Sequence, residues 1–274
     1  MAGLQLAFKK YNVRLGIWGS PFIGFRNFIK FFNSYQFVRV VGNTLKISIY
    51  SLIAGFPIPI IFALILNSVR AERFKKTMQT VTYMPHFISV VVLVGIVVQI
   101  INPRVGLLST VYSALNNGRY PPDLLANPGV FPHLYVWSGI WQTFGWNSII
   151  YTAALASVSL DLHEAAQIDG ASRFQRMIHV DLPAIMPTAI IMLIMRCGHI
   201  MSVGFEKVFL MQNDLNLSTS ELISTYVYKV GLSSSGSMDF SYSTAIGLFN
   251  SIINLILIII VNSISKRVSE TSLW

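Results

Sequence analysis

Polar residues are scarce in this chain, and the few set inside apolar runs are the ones able to do chemistry. Gln142 and Trp146 lie one turn apart if their run is helical, with Asn147 beside them. Arg196 and His199 are three residues apart in a later run, which puts them on one helix face, and Ser202 and Glu206 continue along that side. Aromatic rings flanked by amides suit sugars, whose C–H faces stack while their hydroxyls need donors and acceptors. An arginine at mid-bilayer costs about 2.5–3.5 kcal/mol on insertion scales, so Arg196 must face protein or water. Each residue also has a plainer reading. Tryptophans in spans often anchor at the membrane interface, and Gln142 can simply bridge neighbouring helices.

Bond-breaking chemistry has no visible set of groups. The chain contains no Gly-x-x-x-x-Gly-Lys-Ser/Thr phosphate loop, no His-Glu-x-x-His and no Gly-x-Ser-x-Gly. Its five histidines, His86, His133, His163, His179 and His199, are dispersed without metal-ligand spacing. The single cysteine, Cys197, excludes an intrachain disulfide and reads as a packing residue. No catalytic, cofactor or metal site is expected in this chain. Energy must come from a partner or a gradient.

Composition says what kind of scaffold carries these groups. Hydrophobic residues make up 53% of 274 and charged residues 11%, against about 25% charged in a soluble globule. Mean hydropathy is +0.59. The class is therefore an all-α integral membrane protein. The net charge of +9 is spread between apolar runs, with no basic stripe and interleaved aromatics for nucleic acid. A bilayer core of about 30 Å needs roughly 20 apolar helical residues. Five stretches qualify: Leu45–Leu66 with Pro57 and Pro59 inside it, Val81–Ile101, His133–Ala156, Ala184–Val203 and Thr244–Ile264. Between them lie a basic loop (Asn67–Thr80) read as a lipid-headgroup flank, an irregular loop (Asn102–Pro132), a polar island and a Ser-rich loop (Gly204–Ser243). The two prolines of the first stretch kink it, either as a hinge or as a packing bend.

The polar island is the most ordered soluble segment. Asp161 followed by Glu164 reads as an N-cap with its capping-box partner, opening a short helix from Leu162 to Asp169. Ala165 and Ala166 permit close approach by a partner. Gly170 suits the left-handed position after a helix. Ser172 and Gln175 form a second capping box, and Leu182-Pro183 is expected to end that helix and return the chain to the bilayer. The result is a helix–turn–helix presented on one side of a membrane.

Glu164-Ala165-Ala166, Asp169-Gly170-Ala171, Leu182-Pro183 and Pro187 together resemble the EAA loop of permease subunits in bacterial ATP-binding-cassette importers. Val203-Gly-Phe-Glu-Lys207 and Ile223-Ser-Thr-Tyr-Val-Tyr228 are similar to the oligosaccharide permeases related to the maltose permease. The resemblance implies a type I importer permease of the MetI-like helical-bundle class. It also implies that Glu164, Ala165, Ala166, Asp169, Gly170, Leu182 and Pro183 couple to an ATPase. A sugar pathway would then run past Gln142, Trp146, Asn147, Arg196, His199 and Ser202. The implied partners are a second homologous permease, two ATPase subunits that hold the ATP and Mg, an extracytoplasmic sugar-binding protein, membrane lipid and an oligosaccharide.

Placing the island inside the cell puts Arg70, Arg73, Lys75, Lys76, Arg173, Arg176, Lys266 and Arg267 in the cytoplasm, as the positive-inside rule requires. The expected layout is an extracytoplasmic amphipathic segment over 1–43, a transmembrane domain over 44–264 with the EAA loop at 157–183, and a cytoplasmic tail over 265–274. The location is the bacterial cytoplasmic membrane. Lys9, Lys10, Arg14, Arg26, Lys30 and Arg39 then fall outside, against the rule. The family normally carries one more span ahead of the segment similar to Ala2–Lys9, so a sixth span before Met1 is expected. The competing function is a gradient-driven secondary transporter of a polar solute. The absence of any carboxylate in mid-span argues against it, as does the lack of internal repeats.

Overall fold

The computed structural model describes residues 2–232 and 238–269. Positions 233–237 of the Ser-rich loop and 270–274 of the expected tail lie outside the described residues. Regular structure among the described residues is helical, apart from one isolated bridge between Lys9 and Phe22. By length and composition, three helices can cross a membrane: Tyr35–Ser68, Arg173–Cys197 and Phe240–Lys266. A bent pair, Glu72–Phe87 with Val90–Ile101, makes a fourth. Phe131–Ala156 has 26 residues, ample length, but its amides and hydroxyls leave it less apolar than these.

Each difference from the sequence reading has an identifiable cause. The first membrane helix starts at Tyr35, ahead of the expected Leu45, because its polar early residues are satisfied by protein. Arg39 pairs with the buried Glu221, and Asn43 Nδ2 donates to the carbonyls of Ser218 (2.8 Å) and Glu221 (3.1 Å). Pro57 opens the second half, Pro57–Ser68, where a missing N–H costs little.

The second expected span is not straight. Glu72–Tyr83, a 3₁₀ turn at Met84–Phe87 and Val90–Ile101 meet at a 100° bend. Pro85 lacks the donor that would carry the helix on. The basic loop Asn67–Thr80 is accordingly helical from Glu72, with Thr82 of that helix buried.

The two long loops, Asn102–Pro132 and Gly204–Ser243, also carry helices. Leu107–Leu115 lies in the first; Phe205–Met211, Leu217–Ser220 and Ile223–Leu232 lie in the second. Buried amides rather than apolar periodicity order the second loop. Fully buried Asn216 donates to Leu125 O (2.8 Å) and Met211 O (3.0 Å) and accepts from the Ser220 hydroxyl (2.7 Å).

The chain divides into two compact units. The first comprises Met1–Ile49, Val90–Tyr135 and His199–Leu257. It is built around Phe31, Val40, Met201, Ile223, Tyr242 and Ile246, with a second cluster of Ile47, Val94, Phe131, Val208, Met211 and Leu222. The second comprises Tyr50–Ser89, Val136–Gly198 and Ile258–Trp274. Its core is Ile60, Ala63, Leu64, Tyr151, Leu155, Ile185 and Ala189. Here Gly145 lets Phe131–Ala156 pass very close to Glu72–Tyr83: a Cβ on it would collide with Thr82 O.

Candidate functional site

The polar island folds as a closed elbow. Its first helix is Leu160–Ile168, capped by Ser159, whose Oγ accepts from the Asp161 N–H (3.2 Å). This corrects the expected Asp161–Glu164 capping box and the Leu162 start. Ser159 holds the extended backbone of a cap, so Asp161 falls second in the helix, where its charge favours the N-terminal dipole. Glu164 is left exposed, with Ala165 and Asp169 also exposed and Ala166 half-buried.

The far end closes through three backbone bonds. Asp169 N–H donates to Ala165 O, Gly170 N–H to Gln167 O and Ala171 N–H to Ala166 O (3.0, 3.0 and 2.9 Å). The last two are the pair that define a Schellman stop, with Gly170 at φ +79° in the left-handed slot. Nothing of this helix is buried. Leu160, Leu162 and Ile168 are 75%, 56% and 86% exposed. Three large apolar side chains on a short, rigid, capped helix mark a surface built to be covered.

The return helix begins at Arg173 under the expected Ser172–Gln175 box. Gln175 N–H donates to Ser172 Oγ (3.3 Å) and Ser172 N–H to Gln175 Oε1 (2.7 Å). Leu182-Pro183 does not end it. A π-turn at Met177–Asp181 joins it to Leu182–Cys197, giving one helix of 25 residues, Arg173–Cys197. Pro183 stands in the first turn of the new segment, where its missing donor is tolerated. Leu182 packs on the second unit's core.

Of the intramembrane set, Gln142, Trp146, Asn147 and Arg196 belong to the second unit and His199 and Ser202 to the first. Gln142 Nε2 donates to Ile88 O (2.8 Å), a carbonyl at the 100° bend. Trp146 stacks on His86, with ring centroids 4.5 Å apart and planes within 5°, and Phe87 meets it edge-on at 5.5 Å. Trp146 remains 41% exposed. Asn147 is half-buried on the same helix.

Arg196 and His199 do not share a helix face. Leu182–Cys197 is capped by Gly198, and His199 lies exposed in the turn beyond. Arg196 Nη1 donates to Gly55 O (3.3 Å), with its guanidinium 5.9 Å from the Phe56 ring. Asn254 binds the turn after His199: Met201 N–H donates to its Oδ1 and its Nδ2 to Ser202 Oγ (both 2.9 Å). Glu206 opens the separate helix Phe205–Met211.

Two groups were not legible beforehand. His86 looked like one of five dispersed histidines, and its partner sits far along the chain. Asp181, 4% exposed and contacted by His163 and Asn67, carries no motif of its own and meets partners distant in sequence.

Residues 42–270 match the family described as binding-protein-dependent transport system inner membrane component. Protein LplB of Bacillus subtilis (strain 168) is 39% identical over all of this chain and 85% of its own length. The polygalacturonan/rhamnogalacturonan transport system permease protein YteP of the same organism is 38% identical over the full chain and 84% of its own. A permease in the crystal structure of a bacterial alginate ABC transporter, in complex with alginate pentasaccharide-bound periplasmic protein, superposes with a TM-score of 0.89. It is 38% identical, over 99% of this chain and 88% of that one. The chain therefore belongs to the binding-protein-dependent transport system inner membrane component family. It is a permease subunit of an ABC transport system, a non-catalytic helical membrane protein of the inner membrane, and it works with a solute-binding protein.

Proposed function

We propose that this permease imports an oligosaccharide at the expense of ATP hydrolysed by separate subunits. One observation carries the reading: the capped helix Leu160–Ile168 with three exposed apolar side chains, closed by Gly170. Two ATPase subunits, which bind the ATP and Mg, dock on the cytoplasmic side, one of them on this helix. Leu160, Leu162 and Ile168 enter its surface, with Glu164, Ala165 and Ala166 on the contact and Asp169 and Gly170 fixing the turn. Leu182 and Pro183 tie the elbow to the span that follows. A second, homologous permease completes the pathway. An extracytoplasmic binding protein delivers the sugar to the outer side, where the 1–43 segment and the two long loops lie.

Closure of the ATPases on ATP draws the coupling helices together, and a rigid elbow converts that movement into rocking of the bundle. A floppy loop would absorb it. Trp146, with one face stacked on His86, offers its exposed surface to a sugar ring; Gln142, Asn147 and Arg196 are the polar route residues of the same unit, and His199 and Ser202 those of the first unit. The sugar class is supported by the names of the relatives, which include a polygalacturonan/rhamnogalacturonan transport permease and an alginate ABC transporter.

Cysteines at Leu162 or Ile168, cross-linked in membranes containing the whole importer, test the docking. Adducts with the ATPase subunit are expected. Cross-links only to lipid or to the binding protein would refute it. Uptake of labelled neutral and acidic oligosaccharides into vesicles, with and without ATP, tests the substrate class.

A further inference from the structure

We infer that Asp181 is a positioning residue that fastens the coupling helix to the ends of two membrane helices, and that the π-turn exists to aim it. The inference rests on the permease reading above and adds the device by which the elbow is made stiff. Asp181 is 4% exposed, although it lies in a segment whose neighbours Arg173, Gln175 and His179 are exposed. Its Oδ1 receives His163 Nε2 at 3.2 Å and Asn67 Nδ2 at 3.4 Å. These partners come from three segments: His163 from the middle of Leu160–Ile168, Asn67 from the end of Pro57–Ser68, and Asp181 from the junction leading into Leu182–Cys197.

A buried carboxylate demands such compensation, because leaving it unpaired costs several kcal/mol. Arg176 supplies further positive charge to the same carboxylate. In an α-helix, residues five apart stand about 140° around the axis from one another. The wider i→i+5 turn at Met177–Asp181 brings Arg176 and Asp181 nearly into line. Both line one cleft, together with Asn67, Arg70, His163, Gln167 and Arg173. A regular helix through this stretch would swing Asp181 away from His163 or Arg176 away from Asp181.

Most of the first helix of the elbow is exposed, and this cluster is where it meets a buried polar group. Displacement of Leu160–Ile168 is thereby transmitted to both membrane helices at one point.

The test uses the complete importer in proteoliposomes, with sugar uptake and ATP hydrolysis measured together. Asp181→Ala is expected to hydrolyse ATP normally while uptake per ATP falls about threefold or more, the scale on which single residues modulate coupling between sites. Asp181→Asn keeps an acceptor oxygen for both donors and is expected to restore most of the ratio. An unchanged ratio in Asp181→Ala overturns the inference. So does a loss of uptake and hydrolysis in equal proportion, which signals a merely structural role. Should Asp181→Ala not assemble, His163→Phe and Asn67→Leu remove the donors instead. Unchanged ratios in both overturn the inference equally. A wild-type complex that lacks ATP-dependent uptake would refute the permease reading itself, and the tie with it.

Discussion

The guanidinium of Arg196 donates to the carbonyl of Gly55, the acceptor that Pro59, four residues further on, is unable to use. A proline in a membrane helix leaves such a carbonyl in hydrocarbon, and a donor from a neighbouring helix removes the cost. Arg196 thus explains how the first membrane helix tolerates Pro59. Arg196→Leu is expected to destabilise the protein by about 1–3 kcal/mol, the range for a buried acceptor left unsatisfied. Pro59→Ala restores an N–H for Gly55, so the double variant should lose clearly less than the sum of the two. Thermal unfolding of the four purified proteins in detergent completes the cycle. Strict additivity would contradict the pairing.

Gly170 gives a second expectation. A Cβ there meets nothing within 4 Å, so space is not the constraint; its φ of +79° is. Gly170→Ala should cost about 1–2 kcal/mol locally and leave part of the uptake. Gly170→Pro forces φ to about −65° and deletes the N–H that closes the helix onto Gln167 O. Uptake should vanish while membrane insertion and protein amount stay normal. Normal transport by Gly170→Pro would contradict a coupling role.

Close packing predicts a different outcome at Gly145. Even Gly145→Ala would press a methyl onto Thr82 O and Thr82 Cβ, the latter at 2.9 Å before relaxation. Overpacking of this kind costs about 1–3 kcal/mol. The unfolding midpoint in detergent should fall, and Gly145→Val should fall further. An unchanged midpoint in both would mean that the two helices do not approach as described.

The proposed sugar route gives an expectation at Trp146 and His86. Their stack fixes the indole plane, and aromatic pairs of this sort are worth about 0.5–1.5 kcal/mol. Trp146→Ala should lower uptake at limiting sugar by roughly two- to tenfold on the corresponding energy scale, with the ATPase still co-purifying. His86→Ala should have a smaller effect in the same direction. Unchanged transport of every sugar tested in Trp146→Ala would remove this face from the pathway.

Lys207 supplies a pH dependence. It lies on Phe205–Met211, outside the membrane-length helices, buried, with Nζ 2.7 Å from Tyr135 O and no carboxylate among its described contacts. Burial lowers its pKa to about 8. Between about 8 and the unfolded value near 10.5 the unfolded chain therefore binds the extra proton, so this group's contribution to stability rises with pH across that window. Lys207→Met, which removes the penalty, should be more stable than wild type at pH 7, with the gap narrowing towards pH 10. A gap independent of pH would show that Lys207 does not titrate in this way.

Much of this architecture could be read from the chain. The membrane-length runs, the second capping box and the left-handed Gly170 follow from local chemistry, and local chemistry survived folding. Two of the misses share one cause, satisfaction of polar groups by residues distant in sequence, and two others arise locally. Arg39 and Asn43 extend the first membrane helix because Glu221 and Ser218 receive them. The Ser-rich loop is ordered by Asn216 through carbonyls at Leu125 and Met211. Arg196 and His199, aligned on paper by spacing, part because Gly198 closes the helix between them. At Leu182-Pro183 the proline looked like a stop, and a wider turn just upstream accommodates it.

The exposed Leu160, Leu162 and Ile168 carry a consequence for the life of the subunit before assembly. If the helix docks on an ATPase as proposed, a copy inserted alone would display a greasy handle to the cytosol, the kind of feature that chaperones bind and quality-control proteases seize. Subunit stoichiometry would then be enforced by the side chains proposed to complete the machine.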